Sequence, residues 1–265
     1  MAQVISIANE KGGVAKTTTT AALGSILSHR GHRVIMIDLD PQADLTSGLN
    51  IDPEDRNIFD CVFNHKKMRA TKVNDNLVLI GGSPKMKPAL FEKASTEDKE
   101  YKLSPYGILR KRIKDVLDQT DFVLLDCPPN VDTVTMNALA ASDYVLIPTE
   151  AHRYSINGAA EIVDLVDTLK EELTPGIEIL GVLITRYRSS TAIHKQLAEE
   201  LKETYKDLLF SNPIKENITL QEVSHEGREI VDYDEERQAQ QLVKSKFVGI
   251  ENYESIVEEL LNRIK

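Results

Sequence analysis

Asn9-Glu10-Lys11-Gly12-Gly13-Val14-Ala15-Lys16-Thr17-Thr18 is the stretch on which the reading of the fold turns. Before it, Gln3–Ala8 is a short apolar run and predicts a buried strand. After it, Lys16–His29 predicts a helix with Ala21, Ala22, Ile26 and Leu27 near one face, ended by Gly31. Val34–Leu39 then predicts a second buried strand, closed by acidic residues. Strand, glycine-rich turn, helix and strand within about 40 residues make a βαβ unit. Gly12 and Gly13 let the backbone curl so that successive N–H groups converge on one anion, and the helix N-terminus adds partial positive charge. Lys16 is placed to reach β- and γ-phosphates, and the Thr17 hydroxyl to ligate Mg²⁺.

The common pattern GxxxxGK[ST] is not met, because Glu10 and Ala15 stand at its two glycine positions. A second lysine, Lys11, stands ahead of the glycines instead. Two acidic strand ends accompany the loop: Asp38-Leu39-Asp40-Pro41-Gln42 and Leu124-Leu125-Asp126-Cys127-Pro128-Pro129. Ligands of open α/β sheets bind at the carboxyl ends of strands, where these carboxylates would sit. Asp126 is expected to reach Mg²⁺ through water, and Asp40 to hold an attacking water and meet the metal through water.

Further apolar runs predict strands at Leu77–Ile80, Phe122–Leu125, Tyr144–Ile147 and Ile179–Ile184. Periodic apolar residues predict helices around Leu109–Leu117, Ile162–Leu173, Ile193–Tyr205 and from Asn252 onward. The alternation predicts a mostly parallel, twisted sheet with helices on both faces. No composition break appears, so residues 1–265 are read as one domain, with Asp52–Ser104 the least regular part.

With 41% hydrophobic residues the chain can form a large core without disulfides. Cys61 and Cys127 lack metal-ligand spacing, and the six histidines show none either, which fits a reducing cytoplasm and no metal beyond nucleotide-bound Mg²⁺. Cys127 is expected to be a small buried residue. No secretory leader or membrane-length apolar run is seen. The net charge of −10 leaves room for a local basic patch but not for a chain basic overall.

Taken together, Lys11–Thr18, Asp38–Ala43 and Leu124–Pro129 resemble the ParA/MinD group of deviant Walker ATPases. Met136–Leu139, Asp143–Pro148 and Tyr154–Gly158 extend the match, which runs to about Tyr233. The resemblance implies a Rossmann-like P-loop NTPase that hydrolyses ATP with Mg²⁺ as a nucleotide sandwich dimer. Residues Lys11, Gly12, Gly13, Val14, Ala15, Lys16, Thr17 and Thr18 would hold the phosphates. Asp40, Lys11 and Lys16 would be catalytic, with Lys11 crossing to the partner subunit's phosphates. For ParA-type members it implies a DNA partition motor, nucleoid-associated, whose ATP dimer binds DNA without sequence preference and is released by a ParB-like centromere-binding protein.

The alternatives are a MinD-like, membrane-cycling regulator or an ATPase positioning another cargo. The MinD reading needs a basic amphipathic tail, whereas Glu251–Lys265 carries four glutamates against two basic residues. A nitrogenase-type reductase would need cluster-ligating cysteines, and a metabolic P-loop ligase gives Lys11 no role. Ala15 stands where relatives carry glycine, at a cost of about 1 kcal/mol if its backbone is left-handed. Ile214-Lys215-Glu216-Asn217-Ile218-Thr219-Leu220 stands where many relatives read I-P-R-N-V-R-L, Ser190 stands where an arginine is frequent, and Gln238–Ile250 is long. Candidate DNA contacts are Arg186, Arg188, Lys195, Lys215, Lys244 and Lys246. The denser run Arg110, Lys111, Arg112 and Lys114 points several ways on a helix and reads as solvated surface.

Overall fold

The computed structural model describes residues 2–52, 57–63, 67–90, 106–240 and 245–264. Seven strands form one sheet: β1 (Gln3–Ile7), β2 (Val34–Asp38), β3 (Thr71–Lys72), β4 (Leu77–Ile80), β5 (Phe122–Asp126), β6 (Tyr144–Glu150) and β7 (Glu178–Thr185). Their order is β3-β4-β2-β5-β1-β6-β7. Every pairing is parallel except the short β3–β4 edge. The fold class read from the sequence is therefore the one observed.

Each central strand divides its side chains between two apolar layers, as a sheet covered on both faces requires. On β5, Val123 and Leu125 enter one layer, and Phe122 and Leu124 the other. The first layer is completed by α4 (Ile108–Leu117), α5 (Thr133–Ala141), α6 (Arg153–Glu172) and α7 (Ala192–Tyr205). The second is completed by α1 (Lys16–His29), α8 (Ile218–Glu226), α9 (Ile230–Ala239) and α10 (Val248–Arg263). Two short helices, α2 (Asp44–Ser47) and α3 (Ile58–Phe63), lie between β2 and β3.

Several elements were not evident from periodicity. The two-residue β3, the helices α2, α3 and α5, and the pair α8–α9 are additions to the reading above. The C-terminal helix begins earlier than Asn252, at Val248. On α4 the basic run is solvated as expected at Arg110, Lys111 and Lys114, around a buried Ile113, whereas Arg112 departs from that expectation and is half-buried with its Nε shut off from solvent.

The C-terminal helix is a core element. Tyr253, Ile256, Val257 and Leu260 are fully buried, and the Tyr253 hydroxyl shares a 3.0 Å hydrogen bond with Thr19 on α1. Arg263 donates to the carbonyls of Leu180, Leu208 and Leu209 at 2.8–3.1 Å and stacks on Phe210. Its charge is therefore consumed inside the fold.

Because Leu260 is sealed in this layer, Leu260→Ala leaves a cavity beside α1. The expected cost is about 2–5 kcal/mol by urea denaturation. A cost below about 1 kcal/mol would mean that α10 is only loosely docked.

Candidate nucleotide site

Strand register assembles the site. At the carboxyl edge Ile7 lies opposite Asp126 and Asp126 opposite Asp38, so the ends of β1, β5 and β2 are contiguous. The glycine-rich loop leaves β1 two residues later and lies beside Asp126. This is the edge at which open parallel sheets take ligands.

The loop is sewn to its surroundings by single polar side chains. Asn9 donates from Nδ2 to the Pro148 carbonyl at 2.8 Å and accepts the Lys11 N–H at 2.9 Å. The Thr185 hydroxyl, at the end of β7, donates to the Val14 carbonyl at 3.1 Å. Gly158 on α6 packs against the loop so closely that a Cβ there would sit 2.7 Å from the Asn9 side-chain oxygen. Gly13 and Ala15 both have positive φ, 82° and 63°. Ala15 thus adopts the left-handed conformation anticipated for a glycine position, directly before α1.

Lys16, in the first turn of α1, is 7% exposed, and its ammonium donates to the Lys11 carbonyl at 3.0 Å, closing the loop on itself. Burial lowers its pKa, opposed by the attraction of Asp126, Cys127 and Asp40. Asp126 is fully buried. Burial and then the nearby Asp38 push its pKa well up, against hydrogen bonding from Thr17. Thr20 donates to its Oδ1 at 3.3 Å, while Oδ2 has no hydrogen-bond partner among the described residues. A sealed carboxylate oxygen without a donor, beside the Thr17 hydroxyl, suits a hard divalent cation such as Mg²⁺.

Asp38 is treated differently. Its carboxylate accepts three protein donors, from the backbone of Asp40 and the backbone and hydroxyl of Thr46. Burial still raises its pKa, to about 6. Asp40 is half-buried at the cleft, its pKa raised chiefly by burial. It accepts the Gln42 N–H at 2.9 Å. The Cys127 thiol is pushed up to about 12 by burial and by Asp126, which fits the structural role expected of it.

Lys11 and Lys16 occupy different posts. Lys11 is directed toward Glu150 at the end of β6, its Nζ 3.9 Å from the carboxylate, and its side chain remains one-third exposed. Arg186, in a left-handed backbone conformation, donates to the same Glu150 at 3.1 Å and to the Gly13 carbonyl at 3.2 Å.

The cleft over the loop has a volume of about 600 Å³, the size of a small-ligand site, and is walled by Asp40, Pro129, Arg186, Lys215, Asn217 and Leu220 among others. Two of the basic residues read as DNA contacts, Arg186 and Lys215, therefore line this cleft. The cause is a backbone bond from Tyr187 N–H to the Ile214 carbonyl, which folds the segment after β7 onto the segment before α8. Arg188 forms a two-pronged pair with Glu216. Lys246 pairs with Glu254, Lys195 is exposed on α7, and Lys244 falls outside the described residues. The sequence reading also passed over Asn9, Thr20, Thr46, Glu150 and Thr185, single polar residues outside any phosphate-loop pattern.

The buried carboxylate gives a pH signature. The unfolded Asp126 titrates near 3.8 and the folded one well above it. Over that window the folded state holds the proton that the unfolded state has lost, so stability falls as pH rises through the folded value. In metal-free buffer Asp126→Asn is expected to be more stable than the parent near about pH 7.5, with the gap closing toward about pH 4. Denaturant titrations at the two pH values check this; an Asp126→Asn protein that is less stable at the higher pH would contradict it.

Comparison with known proteins agrees with this geometry. The AAA domain family matches residues 2–179. Soj of Bacillus subtilis (strain 168), described as a sporulation initiation inhibitor protein, is 33% identical over 240 residues, which is 88% of this chain and 92% of that one. The chromosome-partitioning ATPase Soj of Thermus thermophilus is 31% identical over 261 residues, covering 98% and 96% of the two chains. A Borrelia burgdorferi B31 structure described as a plasmid partition protein bound to AMPPNP superposes with a TM-score of 0.77 and 26% identity, over 100% of both chains. Matched over residues 2–179 by that family and at 31–33% identity over most of its length by these relatives, the chain belongs to the ParA/Soj family of partition ATPases.

Proposed function

We propose that this chain is an ATP-dependent partition motor that works as an ATP-bridged homodimer on DNA. The observation that carries the reading is the separation of the two lysines. Lys16 is drawn into the loop, whereas Lys11 is directed away from it toward Glu150 and stays one-third exposed. A lysine not needed by its own phosphates is suited to those of a second subunit.

On this reading the backbone of Gly12–Thr18 and the Lys16 ammonium hold the ATP phosphates. Thr17 would hold Mg²⁺ directly, with Asp126 and Asp40 reaching it through water. When bound, the metal would neutralise the charge that builds on the phosphates. Asp40, at the cleft and only half-buried, holds the attacking water in line with the γ-phosphorus. The water oxygen bonds to that phosphorus as its bond to the β–γ bridging oxygen breaks, the electron pair leaving on ADP and the water's proton passing to the phosphate released. The AMPPNP bound to the Borrelia relative supports a nucleotide in this cleft.

The DNA and partner roles rest on the family. In its ATP state the dimer binds duplex DNA without sequence preference, and a ParB-like centromere-binding protein stimulates hydrolysis and release. DNA affinity is then expected to fall steeply with salt as counterions are released. A MinD-like membrane cycle gains no support from α10, whose apolar face is buried in the core. Among the described residues no helix is long and apolar enough to cross a membrane.

Lys11→Ala tests the reading. A desolvated, charge-assisted contact is worth about 1.5–3 kcal/mol and symmetry supplies it twice. Dimerisation in ATP should weaken by about two to four decades, while the monomer still binds ATP. Light scattering in the hydrolysis-deficient Asp40→Ala background reads the result. An undiminished ATP dimer would contradict the sandwich mechanism and leave the phosphate site standing.

A further inference from the structure

The chain of hydrogen bonds that ends on Asp40 begins in another part of the sheet. Gly82, just past β4, donates its N–H to the Thr46 hydroxyl oxygen at 2.8 Å. That hydroxyl lies 2.6 Å from Asp38 Oδ2, which also accepts the Thr46 N–H at 3.0 Å. Since the hydroxyl oxygen already accepts from Gly82, its one proton is directed to Asp38. The other oxygen of Asp38 accepts the Asp40 N–H at 3.1 Å. Asp38 and Thr46 are both fully buried, so no solvent replaces these bonds.

The segment carried by this chain is the one that presents Asp40. It is a tight turn, closed by Ala43 N–H to the Asp40 carbonyl at 2.9 Å, with Ala43 itself at φ 54°. A backbone bent this sharply holds its shape only where its surroundings determine it. Asp38 is the buried group bonded both to the start of the turn, at Asp40, and to Thr46 in the helix that follows it. Its neighbour across the sheet, Asp126, keeps an unpartnered oxygen, while Asp38 spends its acceptors on protein donors. The two carboxylates therefore have separate duties, one open toward the cleft and one committed to the backbone.

We propose that the Thr46 hydroxyl is a positioning group for hydrolysis: it holds the Asp38 carboxylate, which in turn holds the backbone of Asp40 where an attacking water is oriented. The inference rests on Asp40 being the water-orienting residue. Thr46 touches neither substrate nor metal, and it acts only through Asp38. Loss of its proton frees Asp38 to turn toward another donor, and the Asp40 amide shifts with it. Binding of the nucleotide, which depends on Lys16, Thr17 and the loop backbone, is left in place.

Steady-state hydrolysis and calorimetric ATP affinity are measured for the parent, Thr46→Val, Thr46→Ser and Asp40→Ala. Thr46→Val keeps the shape and removes the hydroxyl; kcat is expected to fall roughly 10- to 100-fold, the scale of a misplaced catalytic group. ATP affinity should stay within about threefold, and Thr46→Ser within about threefold of the parent in both quantities. The proposal is overturned if Thr46→Val turns over at the parental rate, if Thr46→Ser is as slow as Thr46→Val, or if ATP affinity drops in step with kcat. Asp40→Ala separates the two layers of the argument. Parental turnover in Asp40→Ala removes Asp40 from its role, whereas an inactive Asp40→Ala beside an unimpaired Thr46→Val overturns the Thr46 proposal alone.

Discussion

Asp38 and Asp126 face each other across two neighbouring strands, in register and shut off from solvent. Burial penalises each charge and raises both pKa values, with Asp38 raising that of Asp126 further and Asp40 that of Asp38. A sheet edge carrying two such groups needs compensation, and much of the surrounding structure supplies it. Lys16 lies buried beside Asp126, and the turn after β2 bends back to place three donors on Asp38. The unpartnered Oδ2 of Asp126 is what that compensation leaves over. A cation bound there would complete it, which links metal and nucleotide binding to the electrostatics of the fold itself.

The same demand explains why the loop is so firmly anchored. Backbone N–H groups attract phosphate only if they are held in a converging arrangement before it arrives. Asn9 ties the loop to β6 and Thr185 ties it to β7, while the close approach of Gly158 limits movement behind it. Ala15 holds a left-handed backbone that costs about 1 kcal/mol in a non-glycine residue. Across the cleft, Tyr253 reaches from the last helix to Thr19, so α1 is braced along its length by the C-terminal end of the chain.

Much of this was legible in the sequence because it repeats with a period. The limits of α1 at Lys16 and His29 and of β4 at Leu77 and Ile80 follow from apolar patterning, and the acidic strand ends from their position after it. What was not legible depends on the chain meeting itself. Arg186 and Lys215 look like surface charges in one dimension, yet a single bridge between Tyr187 and Lys215 carries them into the cleft wall. Helices α8 and α9 are short, interrupted by Gly227, and present few apolar residues each, so neither shows a clear period. Thr46 carries no pattern at all; only the positions of Asp38 and Gly82 give its hydroxyl a role.

The central claim is that the two lysines of one loop serve two different active sites. Mixing Lys11→Ala with Asp40→Ala subunits tests it directly. Each variant alone lacks one part of every site. In a mixed dimer, the Lys11→Ala subunit keeps its own Asp40 and Lys16 and receives Lys11 from its partner, which restores one complete site. Titrating one inactive variant into the other should therefore regenerate ATP hydrolysis, rising toward about half the parental rate per mixed dimer if the sites are independent. A mixture that never exceeds the sum of its two separate rates would contradict the account, because Lys11 would then serve only the subunit that carries it.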